Sequence, residues 1–236
     1  ERGSAAAHEI RAAGGSIELL PLDLADFASV RECARRFRAR GLPLHLLVNN
    51  AGVAGARGLT ASGFEMAFGV NHMGHFLLTR LLLDVLRRSA PSRIVTLASR
   101  GHFHAHGIDW EAVRRPTGPS VTLPEYCVSK LANILFSAEL ARHLAGSGVT
   151  TYAVHPGTVA TEIWHLVPWP LRALMFFSMV TPAKGAAAVL HCATSAALAD
   201  ESGLYYEHCR AKPPSRLARD RALAAELWRR SEAWSA

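Results

Sequence analysis

Lysine is scarce in this chain, paired cysteines are missing, and no long apolar run occurs; each shortage closes off a class of protein. Of 26 lysines and arginines, only Lys130, Lys184 and Lys212 are lysine. The four cysteines, Cys33, Cys127, Cys192 and Cys209, form no C-x-x-C pair. That excludes a zinc ribbon and a disulfide framework and leaves buried thiols in a reducing compartment as the simplest reading. No uninterrupted apolar run reaches the roughly 18 residues of a membrane span, and Glu1-Arg2-Gly3-Ser4 resembles neither a signal peptide nor an anchor. As it stands, the chain is expected to be cytoplasmic or at most associated with a membrane surface. Aromatic residues interleaved with the basic ones are lacking too. The formal charge of +7 permits nucleic acid, an anionic membrane or phosphorylated ligands. Arginines spread along helical stretches such as 31–40 read as solvated helix faces, so no nucleic-acid partner is assigned.

What is present is enough apolar material for a core: half of the 236 residues are hydrophobic, which suits one α/β domain over residues 1–236. Apolar runs of strand length alternate with helix-length periodic segments, the pattern of a parallel sheet covered on both faces. The runs predict strands near 17–22, 44–49, 93–98, 149–154 and 203–206. The periodic segments predict helices over 3–13, 26–40, 62–88, 125–145, 182–198 and 215–232. Loops at 100–124 and 156–181 are longer than a simple connection needs, and both follow the C-terminal ends of strands, where ligands bind in open α/β sheets. The second loop is rich in apolar residues, among them Trp164, Trp169 and Phe176. It is either a helix that caps the core or a lid over an apolar substrate.

Tyr126 and Lys130 stand four residues apart at the start of a predicted helix, so both side chains leave one face. A phenol is a poor acid or base near neutral pH, and a nearby cation favours its ionised form. A tunable lysine in a chain that otherwise uses arginine strengthens the pairing, because a guanidinium cannot replace it in that role. Ser99 ends an apolar strand and either holds a substrate oxygen or makes an ordinary turn. Asn49-Asn50-Ala51-Gly52 also follows a strand; its small residues would let a cofactor approach the backbone while the amides fix the loop. His155-Pro156-Gly157-Thr158-Val159-Ala160-Thr161 ends another strand, and its free backbone groups and hydroxyls suit a carboxamide or phosphate. Either segment could equally be a turn. His102, His104 and His106 alternate, as ligands on an extended segment would, or form a polar loop beside the substrate pocket. The second reading is preferred, and no metal is assigned.

Taken in order, Asn49-Asn50-Ala51-Gly52, Asn71, Ser99, Tyr126-x-x-x-Lys130 and Pro156-Gly157 resemble the motifs of the short-chain dehydrogenase/reductase family over essentially the whole chain. Longer stretches, Val70 to Thr79, Ser89 to Val95, Ser129 to Phe136 and Gly148 to Tyr152, are similar to the microsomal retinol dehydrogenases. The resemblance implies a Rossmann-like doubly wound parallel sheet and hydride transfer between NADP(H), preferred over NAD(H), and a hydrophobic alcohol or aldehyde, with retinol and retinal the leading pair. It implies Tyr126 as the proton donor or acceptor, with Lys130 lowering its pKa and binding the nicotinamide ribose. Ser99 would position the carbonyl, and Asn71 would support a water-mediated proton path to Lys130. It places Asp23 against the adenine, Asn49, Ala51 and Gly52 beside the adenosine ribose, and Pro156, Gly157, Thr158, Val159 and Thr161 near the nicotinamide. Trp164, Trp169 and Phe176 would meet the substrate. A homodimer face and attachment of the full-length parent to the cytosolic face of the endoplasmic reticulum also follow from the resemblance.

One departure stands against these matches. The family's first strand, its T-G-x-x-x-G-x-G turn, its first helix and its second strand would precede Glu1, and neither Gly14-Gly15-Ser16 nor 52–58 reproduces that turn. The pyrophosphate site and the residue that separates NAD from NADP are therefore not in the sequence. With family strand order 3-2-1-4-5-6-7, the chain would lack two central strands, leaving the outer edge of strand 44–49 bare. The isolated chain is accordingly expected to be aggregation-prone and inactive. A rival reading is a non-catalytic fragment or splice product that binds partners or lipids.

Overall fold

The computed structural model describes residues 2–117, 123–157 and 181–236. Five strands form one sheet in the order β1 (Leu46–Asn49), β2 (Ser92–Leu97), β3 (Val149–His155), β4 (Leu204–Glu207) and β5 (Arg210–Ala211). The first four are parallel, and β5 returns antiparallel to β4 through His208 and Cys209, both left-handed with φ of 50° and 59°. The register runs Val48 to Val95, Val95 to Tyr152, and Val154 to Tyr206. Because all four parallel strands point one way, their C-terminal ends and the loops after residues 49, 97 and 155 lie along a single edge.

Helices cover both faces, as the alternation of each strand requires. Among the described residues these are α1 (Arg2–Ala12), α2 (Phe27–Ala39), the short α3 (Met66–Phe68), α4 (His75–Arg88), α5 (Leu123–His143), α6 (Pro182–Thr194) and α7 (Arg221–Trp234). Val95, Tyr152, Val154 and Tyr206 face α6, packing with its Ala188 and Cys192. Their strand neighbours Ile94, Ala153 and Tyr205 turn the other way, into clusters built with α4, α5 and α7. Caps mark the starts of three helices: Asp26 accepts from the Ala28 N–H, Thr181 from that of Lys184, and Asp220 from that of Leu223. No described helix is long and apolar enough to cross a membrane.

Two expectations need correction. Residues 17–22 form no ladder, and Leu19 and Leu22 are 47% and 40% exposed. No described strand runs beside them, and an apolar run becomes a strand only when a neighbour takes up its amides. The helix expected over 62–88 is interrupted: α3 leads into a π-helical stretch, Gly69–Gly74, before α4 begins. That wider turn contains Asn71, and such insertions recur at functional positions in helices.

Candidate active site

The strand edge and the N-terminal part of α5 meet at Lys130. Its ammonium donates to the Leu97 carbonyl at the end of β2, 3.0 Å away, and lies 5.5 Å from the centre of the Tyr126 ring. Asn133, one turn later, donates to the same carbonyl at 2.9 Å. These two bonds pin α5 across the point where β2 gives way to Ser99. Ser99 is half-buried beside Tyr126, and its hydroxyl accepts from the Gly101 N–H at 3.1 Å. Gly101 sits against this pair, where a methyl would come 3.4 Å from both Tyr126 Cε1 and Cys127 Sγ. Ser99, Tyr126 and Lys130 are thus brought together.

Asn71 is completely buried and its amide is fully used. It accepts from the Val53 N–H at 2.7 Å and donates to the Val53 carbonyl and the Ser129 hydroxyl, each at 2.9 Å. Ser129 in turn donates to the Tyr126 carbonyl at 2.8 Å. One side chain therefore braces the loop after β1, the π-helical stretch and the turn of α5 that carries the phenol. Its own carbonyl receives Nδ1 of His75 at 3.1 Å. Ser129, His75 and Gly101 were not singled out in the sequence. Ser129 lies inside the Tyr126 to Lys130 spacing, which was the one available hint.

Electrostatics follow from burial. Lys130 is 5% exposed, and desolvation holds its ammonium down to about 8. Burial pushes the Tyr126 phenol above the ordinary tyrosine value, with the Ser99 hydrogen bond pulling the other way. Burial thus governs the Tyr126 phenol, and the group that opposes it is Ser99 rather than Lys130.

The remaining expected residues divide into three sets. Ala51 and Gly52 lie exposed just past β1, and a methyl at Gly52 would come 2.9 Å from Asn71 Oδ1 and 3.8 Å from Lys130 Nζ. That strip of bare backbone beside an ammonium fits a nicotinamide dinucleotide, and half-buried Pro156 and Gly157 continue the same edge past β3. Asn49 behaves differently: it is 1% exposed and turns inward, donating to Thr79 at 3.0 Å and Thr96 at 3.4 Å, so its amide fixes the strand end. Asp23 is exposed and accepts from the Ala25 N–H at 2.9 Å in the turn that leads to α2. Thr158, Val159, Thr161, Trp164, Trp169 and Phe176 lie outside the described residues. The three alternating histidines do not converge, because 100–104 is a 3-10 turn rather than an extended segment: His102 is buried while His104 and His106 are exposed.

With this geometry, the chain belongs to the short-chain dehydrogenase/reductase family, and it is an NAD(P)-dependent enzyme of that family. A family model described as enoyl-(acyl carrier protein) reductase matches residues 1–202. The chain is 47% identical to retinol dehydrogenase 11 of Mus musculus, over 97% of this chain and 73% of that protein. Among solved structures, an uncharacterized protein from Mycobacterium Paratuberculosis is similar with a TM-score of 0.68 and 31% identity, covering 94% of this chain and 76% of its own. A Beutenbergia cavernae structure with bound NADP is 26% identical with a TM-score of 0.67, covering 86% and 79%.

Proposed function

We propose that the protein interconverts a hydrophobic alcohol and its carbonyl compound, retinol and retinal foremost, with NADP(H) as the hydride carrier. The observation that carries the reading is the meeting of Ser99, Tyr126 and buried Lys130 at the strand edge beside bare backbone at Gly52. When bound, the cofactor supplies or accepts the hydride. Ala51, Gly52, Pro156, Gly157 and Lys130 would hold it, and Asp23, Thr158, Val159 and Thr161 extend the proposed contacts. Ser99 orients the carbonyl oxygen by hydrogen bonding. Tyr126 gives that oxygen a proton in reduction and takes it in oxidation. The charge of Lys130 steadies the phenolate left when the proton departs, and Asn71 keeps the phenol-bearing turn in register with the loop after β1.

The retinoid assignment draws on the name of the mouse relative, and the NADP preference on the cofactor in the Beutenbergia cavernae structure. Trp164, Trp169 and Phe176 are proposed substrate contacts, and residues 1–236 are proposed to belong to a single short-chain dehydrogenase/reductase domain. A homodimer and a place at the cytosolic face of the endoplasmic reticulum complete the proposal by resemblance. Tyr126→Phe, made in a protein that also carries the family's glycine-rich turn, tests it: NADPH-dependent reduction of retinal, followed by chromatography, is expected to fall by about 10²–10⁴-fold, with NADPH binding by fluorescence titration retained. Turnover by that variant at the wild-type rate would end the assignment of Tyr126. Absence of NADPH binding by the wild-type chain would favour the binding-only reading.

A further inference from the structure

The reach of the Ser99 hydroxyl depends on how firmly its backbone is held, and β2 has ended two residues earlier. The Ser99 carbonyl accepts two bonds from one residue: the backbone N–H of His102 at 3.1 Å and ring Nδ1 of His102 at 2.6 Å. His102 is completely buried. Its other ring nitrogen, Nε2, lies 3.1 Å from the backbone N–H of Ser215, far along the chain. A backbone N–H can only donate, so Nε2 must offer its lone pair and Nδ1 must carry the hydrogen. One neutral tautomer therefore satisfies both ends. The ring packs against Phe103, tilted with centroids 4.1 Å apart, and against Tyr205 in a T-shaped contact, 5.1 Å away. Burial lowers the basicity of His102, which agrees with a ring kept neutral.

We infer that His102 is a positioning residue, an imidazole strut that ties the backbone of Ser99 to the C-terminal segment at Ser215. The inference rests on the reading of Ser99 as the group that orients the substrate oxygen. Without the ring, the Ser99 carbonyl loses its shorter bond and the Ser215 N–H loses its acceptor. The residue that faces Tyr126 is then free to shift, and a displacement of about 1 Å at a reacting group costs on the order of 10²-fold in rate.

The test compares wild type with His102→Gln, which keeps a donor and an acceptor on one planar group, and His102→Leu, which has neither. His102→Leu is expected to lower kcat for aldehyde reduction by at least about tenfold while KM for NADPH moves less than about twofold. His102→Gln is expected to recover most of the loss. Ser99→Ala should cost less in the His102→Leu background than in wild type, because both changes act on one group. Two measurements need no turnover: nitrogen-15 NMR of the wild-type ring is expected to place the proton on Nδ1, and hydrogen exchange at the Ser215 amide to be faster in His102→Leu than in wild type or His102→Gln. A proton on Nε2, an unchanged kcat in His102→Leu, or additive losses with Ser99→Ala would overturn the strut. A wild-type protein that carries the glycine-rich turn and still reduces no aldehyde with NADPH would instead sink the proposed function, leaving the tautomer and exchange data to decide the role of His102.

Discussion

Val154 on β3 and Val48 on β1 are the same residue in the same kind of parallel strand, yet the first is completely buried and the second is 36% exposed. β3 has β2 on one side and β4 on the other, with α6 across one face and α5 across the opposite one. β1 pairs only with β2, and no described strand lies along its outer edge, where Leu46 is also more than a third exposed. The difference teaches that burial in this fold is set by neighbours more than by residue type. It also locates the order of the site, because Lys130 leans on the flanked strand β2 through Leu97, while Asn71 ties the Tyr126 turn to the loop after β1 through Ser129 and Val53.

Acid is the strongest way to press on the covered side. Burial holds His72, His75 and His155 down to about 3, 4 and 4. All three are neutral in the folded protein near neutral pH, whereas an unfolded histidine takes up a proton near the ordinary value of about 6.5. Between about 6.5 and 4 the unfolded chain therefore binds more protons, and stability falls as pH falls. Three such groups give a slope approaching about 4 kcal/mol per pH unit. Urea unfolding at pH 7, 6 and 5 is the measurement, and a flat profile would mean that water reaches these rings.

Lys130 presses in the opposite direction. Its folded value of about 8 lies below the usual lysine range, so the buried ammonium is a cost that disappears as pH rises through about 8 to 10.5. Lys130→Met is expected to be more stable than wild type at pH 7.5, with the gap narrowing by up to about 3 kcal/mol by pH 10.5. A constant gap in denaturant titrations would show that the charge is compensated where it stands. The smallest effect is the most direct comparison of the two strands. Val154→Ala should cost about 2 kcal/mol or more, and Val48→Ala under about 1 kcal/mol. Equal melting shifts would remove the contrast between a flanked strand and a bare edge.

Much of this was legible in the sequence for a physical reason: four apolar runs bounded by small residues became β1 to β4, because each found a neighbour. Residues 17–22 carry the same signal and form no ladder, since pairing is a property of two segments and a single run does not contain it. The Tyr126 and Lys130 spacing located the reacting face of α5 directly, helical periodicity being a local rule. The π-helical stretch around Asn71 left no mark on the apolar pattern, which continues smoothly through 62–88. His102 was grouped with His104 and His106 because alternation assumes an extended chain; the 3-10 turn there sends one ring inward and leaves the others outside. Its partner at Ser215 is more than a hundred residues away, beyond the reach of any spacing rule.

Helix α7 also settles when the site can be finished. Ser231 hydrogen-bonds His72 at 3.0 Å, Trp228 stacks on His143 with centroids 4.3 Å apart, and the Ser235 carbonyl accepts from Arg31 at 2.6 Å. Each of these contacts joins α7 to helices that come much earlier in the chain. Ser99, Tyr126 and Lys130 have all left the ribosome while the segment that closes the core beneath them is still untranslated. A premature stop codon late in the message would therefore encode every reacting side chain and still leave the nascent chain without the wall that holds them.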